Sequence, residues 1–100
     1  ERFVALTSTN PAKLYGLYPR KGSIMVGADA DLVLWDADRE TVITQDGLHH
    51  GADYTPYEEL AITGWPVMTL LRGQVVAEEG EVRGAMGQGE YVTRSYSNLI

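Results

Sequence analysis

The sequence predicts a mainly-β chain with a short helical lead-in, and three observations carry that prediction. Helix signals are confined to the first 17 residues, where Pro11 and Gly16 bracket a short stretch of helical periodicity. From Tyr18 onward, short β-branched and apolar runs alternate with Gly, Asp and Glu-Gly punctuation. Gly73 and the pair Glu79-Gly80 then fall between such runs at the spacing of tight hairpins.

Phe3, Val4 and Leu6 fit one side of a first short helix, and Ser8, Thr9 and Asn10 supply capping side chains ahead of Pro11. Pro11 suits a first helical position because its missing N–H would be unpaired there anyway, so a second helix should run from Pro11 to Tyr15 and stop at Gly16. Six strands follow in the expectation. Ser23-Ile24-Met25-Val26 reads as a short strand, Gly27 to Ala30 as a turn, and Asp31 to Asp36 as a run apolar on both faces, the pattern of a central, covered strand. Thr41-Val42-Ile43-Thr44 is the next, leading into a polar loop over 45–59 that is long enough to suspect a purpose. Val67 to Arg72, Gln74 to Ala77 and Glu81 to Arg83 complete a meander turning at Gly73 and Glu79-Gly80. Gly84, Gly87 and Gly89 interrupt any regular element in the tail.

Six short strands and two short helices describe half of a β-sandwich, or a small barrel. A sandwich of this length leaves open strand edges and an uncovered apolar face unless another segment completes it. The chain starts at Glu1, without Met and within a helical pattern, which reads as a segment of something longer.

With 100 residues the chain fits one domain at most, and a domain of that size buries about 60–65% of its extended surface. Apolar residues make up 44% and charged residues 22%, too apolar for a disordered tail. The net charge of −6 opposes a polyanion, so nucleic acid is not an expected partner. The absence of cysteine excludes disulfides, thiolate metal sites and a cysteine nucleophile. No run approaches the roughly 20 apolar residues of a membrane span. The expectation is a cytoplasmic protein without a membrane partner.

Candidate chemistry is sparse. His49-His50 with Asp46 and Asp53 offers ligand atoms, but adjacent side chains diverge on an extended backbone, and helical metal pairs stand three or four apart. Asp29-Ala30-Asp31 with Glu40 mimics the ends of a calcium loop, yet Leu34 and Val33 occupy its glycine and ligand positions. Asp29 is read instead as a turn residue and Asp31 as the opening of a strand. The glycines at 84, 87 and 89 open no helix and so lack the setting of a phosphate cradle. Glu58-Glu59 and Glu78-Glu79 are sequence neighbours rather than carboxylates converging across a cleft, which makes them surface. Trp35, Tyr54, Tyr57, Trp65, Tyr91 and Tyr96 are read as core and interface anchors. No nucleophile, base and oxyanion donor assemble, so no catalytic, metal or substrate residue is assigned.

The order of motifs adds a resemblance. Thr9-Asn10-Pro11-Ala12-Lys13, Gly16-Leu17, Pro19-Arg20-Lys21-Gly22 and Gly27 to Val33 resemble the closing segment of the amidohydrolase superfamily, where the chain leaves a (β/α)8 barrel and re-enters a β-sandwich. His49-His50-Gly51-Ala52-Asp53-Tyr54-Thr55-Pro56-Tyr57-Glu58, Arg72 to Val76 and Gly87 to Val92 narrow it to the dihydropyrimidinase and D-hydantoinase branch. The resemblance implies residues 1–17 as the last barrel helices, 18–84 as sandwich strands with their long loop, and 85–100 as a C-terminal tail. It implies a parent that opens the ring amide of hydantoins or dihydropyrimidines with two zinc ions, held by four histidines, a carboxylated lysine and an aspartate. All of these lie upstream in the barrel, so Lys13, Lys21, His49 and His50 inherit no such role and this segment holds no cofactor. Its implied partners are the upstream barrel, the N-terminal sandwich strands, and further copies in a homo-oligomer touched by Tyr91, Tyr96, Leu99 and Ile100. The alternative is a scaffold or binding protein that resembles dihydropyrimidinase without catalysis.

Overall fold

The computed structural model describes residues 1–97. The chain divides into two compact units. One comprises Glu1–Asp31, Leu71–Gln74 and the tail from Ala85; the other comprises Leu32–Leu70 and Val75–Gly84. Among the described residues no helix is long and apolar enough to cross a membrane.

In the first unit, helices α1 (Arg2–Val4) and α2 (Asn10–Leu14) are joined without a break by a π-helical segment, Ala5–Thr9. The expected capping at Ser8, Thr9 and Asn10 is therefore not made. Pro11 cannot donate to the carbonyl four residues back and its ring would collide with it. The helix widens one step earlier, so that Asn10 N–H reaches Ala5 O, five residues back. Thr9 turns its hydroxyl outward, donating to Gly22 O at 2.9 Å.

Helix α2 ends at Gly16 as the sequence predicts. Gly16 has φ +69, Leu17 N–H donates to Ala12 O at 2.8 Å and Gly16 N–H to Lys13 O at 3.2 Å, the paired bonds of a Schellman end. Two close approaches need glycine here. A Cβ on Gly16 would stand 1.9 Å from Ser95 O, and one on Gly22 (φ +77) would stand 2.5 Å from the Ala12 Cβ. Ser95 N–H donates to Gly16 O at 2.8 Å, fastening the tail to the helix end. Ala12 is the one buried apolar side chain among the described residues.

Ser23 and Ile24 take no regular structure and Met25-Val26 enter a bend and turn, so the expected strand over 23–26 is not formed. No ladder partner stands beside them among the described residues, and Ile24 is 91% exposed. Apolar, β-branched composition supplies a strand only where an edge is available to pair with.

The sheet has four strands in the order β1 (Leu32–Val42), β2 (Ala61–Leu71), β3 (Gln74–Glu78) and β4 (Glu81–Val82). The expected strands over 31–36 and 41–44 merge into the single strand β1 because both halves pair with β2. Asp36 opposes Trp65, Glu40 opposes Thr63, and Ala37 to Arg39 bulge outward against Gly64. The bulge is held from both sides: Asp38 N–H donates to the Asp36 carboxylate at 3.1 Å, and Arg39 Nη1 to Glu79 Oε2 at 2.6 Å. Strand β2 starts six residues before the expected Val67. Gly64 (φ +92) faces the bulge, and Pro66 sits beside Val67, which the register skips between Leu34 and Trp35. The residues that argue against a strand thus occupy its two irregular points.

The expectation of a covered central strand over 31–36 is also corrected. β1 stands at one end of the strand order, and Val33, Leu34 and Trp35 are each about half exposed. The two turns match the reading. Arg72-Gly73 has φ +47 and +81 and Glu79-Gly80 has φ +48 and +80, the left-handed pairs that suit the twist of two-residue hairpins.

The accessible surface is 7987 Å² for a mass of 11.0 kDa. Large apolar side chains are left open among the described residues, and the aromatics expected as core lie largely outside: Trp35, Tyr54, Tyr57, Tyr91 and Tyr96 are exposed.

Replacing Gly16 by Ala forces a side chain into a left-handed position, at about 1–2 kcal/mol, and against the Ser95 carbonyl. The expected outcome is lower stability, with the Ser95 amide losing hydrogen-exchange protection before the Glu79 amide of the hairpin; equal loss at both amides would show that the tail does not rest on Gly16.

Candidate functional site

The densest polar constellation lies in the first unit, where the loop after the helices meets the turn before β1. Lys21 Nζ bonds both Asp29 Oδ2, at 2.8 Å, and Asp31 Oδ2. Arg20 Nε donates to the same Asp29 oxygen at 2.8 Å, and Asp29 N–H to Arg20 O at 2.9 Å. Asp31 Oδ1 accepts Arg72 N–H at 2.9 Å. Burial disfavours the Lys21 charge, but the hydrogen bonds and charges of Asp29 and Asp31 outweigh it and hold the ammonium above its ordinary range. The hydrogen bonds of Lys21 and then Arg20 hold Asp29 below the usual carboxylate range. For Asp31 burial pushes upward, and the hydrogen bonds from Lys21 and Arg72 N–H overcome it, so its acidity also increases.

The loop over 45–59 closes on itself. It opens with a 3-10 turn, Gln45–Gly47. Gln45 Nε2 donates to Ala52 O at 2.7 Å, which turns its Oε1 toward His50 Nε2 at 3.0 Å. Because that oxygen can only accept, His50 carries its proton on Nε2. His49 Nε2 likewise faces a carbonyl, Gly80 O, at 2.7 Å, and must donate to it. The two histidines therefore serve different partners, one inside the loop and one at the β3–β4 turn. His49, Leu48, Trp65, Val67, Met68 and Ala77 are among the residues lining a shallow groove of about 200 Å³ in this second unit.

The residues present do not fit the zinc set that the resemblance implies for its parent. Nε2 of each histidine is spent on an oxygen. Among the described residues no three His, Asp or Glu side chains gather to hold a metal ion. Carboxylation of a lysine requires the neutral amine, whereas Lys21 is held as an ammonium by two carboxylates, and Lys13 Nζ lies over the Tyr18 ring, 5.2 Å from its centroid.

Of the tail positions singled out in the sequence, Tyr91 and Tyr96 are 90% and 95% exposed, while Leu99 and Ile100 lie outside the described residues. Sequence reasoning missed the Lys21–Asp29–Asp31–Arg72 cluster and the Gly16–Ser95 clasp. The charge order Arg-Lys-Gly followed by Asp-Ala-Asp was a legible signal for the first; nothing local marks the second, which spans 79 residues of chain.

The cluster makes stability depend on pH. Both carboxylates contribute fully above their ordinary value of 3.8 and lose that contribution as pH falls through their lowered folded values. Lys21 contributes below its ordinary 10.5 and loses its share as pH rises through its raised folded value. Urea midpoints should therefore form a plateau that declines at both ends, and Lys21→Met should flatten both limbs; unchanged limbs in that variant would contradict the assignment.

Comparison with known proteins places this segment. Residues 1–76 match the profile described as the amidohydrolase family. The chain is 46% identical over 93 residues to the D-hydantoinase of Rhizobium radiobacter, covering 93% of this chain and 20% of that protein. It is 43% identical over 100 residues to dihydropyrimidinase-related protein 5 of Mus musculus, covering 99% and 18%. The crystal structure of dihydropyrimidinase from Brevibacillus agri NCHU1002 superposes with a TM-score of 0.92 at 41% identity, over 96% of this chain and 21% of that one. The chain thus spans about a fifth of the length of the relatives it matches. Sequence profile and superposed backbone agree with the mainly-β, sandwich-segment expectation, and the chain belongs to the amidohydrolase family.

Proposed function

We propose that this chain is the C-terminal, non-catalytic part of a zinc-dependent hydrolase that opens the ring amide of hydantoins or dihydropyrimidines. The observation that carries the reading is the D-hydantoinase match, which runs over 93% of this chain but only 20% of the relative. The remaining four-fifths, by that proportion, has room for a (β/α)8 barrel of about 250 residues and its metal ligands. Two zinc ions bound there would supply an activated hydroxide. No step of that chemistry runs through the residues described above; their part is to form a wall.

Several local features support the scaffold role. His49 and His50 donate to oxygens, Lys21 is paired as an ammonium, and β1 offers an edge to upstream sandwich strands of the same polypeptide. Tyr91 and Tyr96 face outward from the tail, where they suit contacts with further copies in a homo-oligomer, a cytoplasmic one on this reading. The second reading is a scaffold or binding protein that resembles dihydropyrimidinase without catalysis; the chain is nearly as similar, at 43% identity over 99% of its length, to a protein named only as related to dihydropyrimidinase.

Placing the natural upstream region before this segment separates the two. The hydrolase reading expects hydantoin or dihydrouracil turnover that a chelator abolishes, whereas a folded assembly that neither binds zinc nor turns over supports the scaffold. The 100-residue chain alone is expected to show no turnover and less than stoichiometric zinc; catalysis by the isolated chain would sink the proposal. In the longer protein, replacing Tyr91 and Tyr96 together by Ala is expected to shift light-scattering mass toward smaller species with turnover per folded active site retained.

A further inference from the structure

We propose that Asp31 is the positioning residue of an electrostatic latch on the C-terminal tail: by holding the backbone of Arg72 it aims that guanidinium at residues 88–90. Arg72 occupies the first position of the β2–β3 turn with φ +47, a conformation better suited to Asn or Gly. Left-handed non-glycine residues persist where their surroundings over-determine them, and here the surroundings are visible. Arg72 N–H donates to Asp31 Oδ1 at 2.9 Å and Gly73 N–H to Ala30 O at 2.9 Å, so two successive amides of the turn are pinned to the 30–31 segment. Asp31 is itself fixed through its other oxygen by Lys21, which also holds Asp29.

With its backbone fixed this way, the Arg72 side chain reaches the tail. Nη2 donates to Gln88 O at 2.5 Å and lies 3.6 Å from Glu90 Oε1. Gln88 returns its own side chain to Ala85 N–H at 2.9 Å and stands 3.4 Å from Gln74 Oε1, closing the turn over 85–88. Further along, Ser95 N–H and hydroxyl both donate to Gly16 O, at 2.8 and 3.0 Å. The tail is thus fastened by its backbone at two places, with Tyr91 between them left exposed. An ordered backbone carrying an outward ring lowers the ordering cost of any later contact. Asp31, whose carboxylate bonds Lys21 and the Arg72 N–H, sets whether the first fastening holds. The latch requires no particular substrate and stands apart from the activity proposed above.

Amide hydrogen exchange on the chain tests this, with Ala85 and Ser95 reporting on the tail and Glu79 and Arg83, bonded to Val67 O and Val76 O, as references in the other unit. Arg72→Gly keeps the N–H for Asp31 and suits the left-handed turn while deleting the guanidinium. It should speed exchange at Ala85 about ten-fold, the loss of a charge-assisted bond, and less at Ser95, leaving Glu79 and Arg83 unchanged. Asp31→Ala should reproduce that tail pattern although the guanidinium remains, and Asp31→Asn, which retains an acceptor for Arg72 N–H, should stay near the parent at Ala85. If Asp31→Ala unfolds the chain, the Asn and Gly variants decide. Protection at Ala85 surviving Arg72→Gly, or Asp31→Asn exchanging as fast as Arg72→Gly, would overturn the latch.

Discussion

Lys21 stands between two carboxylates that belong to one short turn, and the first unit is organised around that ammonium. Asp29 and Asp31 are two residues apart, so without a cation their charges would repel. With Lys21 bonded to both and Arg20 on the outer side, the turn over 27–31 is drawn against the loop over 18–22. Everything that follows inherits that placement. Asp31 leads into β1, its second carboxylate oxygen seats the β2–β3 turn, and Gly22, one residue after Lys21, packs so closely on Ala12 that no side chain fits. The charges are partly exposed and so individually weak in salt; the geometric consequence comes from sharing one cation among segments distant in sequence.

The second constraint is surface. A chain that is 44% apolar leaves Ala12 as its one buried apolar side chain among the described residues, so internal packing alone is not what gives the fold its order. Backbone ladders, paired turns and caps carry much of it. The faces of β1 and of the segment 23–26 carry apolar side chains that no described residue covers, and the chain spans about a fifth of the length of its relatives. The same holds for the aromatic residues. Trp35, Tyr54 and Tyr57 carry the composition of a core, yet each is half exposed or more.

That contrast marks how far the sequence could be read. The helix stop at Gly16 and both hairpin turns were legible because their determinants are local: left-handed glycines and two-residue spacing. The merger of two expected strands into β1 was not, since it depends on β2 offering Gly64 opposite a three-residue bulge. Ser23 to Val26 failed for a related reason, as strand propensity does not say whether an edge is free. In the candidate site, the separation of His49 from His50 followed from extended-chain geometry, and the structure gives each its own carbonyl-type partner. The clasp between Gly16 and Ser95 was beyond reach, because any glycine ending a helix looks alike until the tail is laid across it.

Two turn residues show how local strain and long-range order are linked in this fold. Arg72 and Glu79 each occupy the first left-handed position of a two-residue turn, where Asn or Gly would be less strained. Each carries a charged side chain that reaches beyond its own hairpin turn, Arg72 to the tail and Glu79 to Arg39 in the β1 bulge. The Glu79 turn is held a second time, by His49 donating to Gly80 O. A shorter residue would relax the backbone and abandon the reach. The tight turns therefore do more than reverse the chain: the Arg72 turn anchors the tail within its unit and the Glu79 turn anchors the bulge and the loop within the other, which is how a fold with little buried core keeps its irregular segments in place.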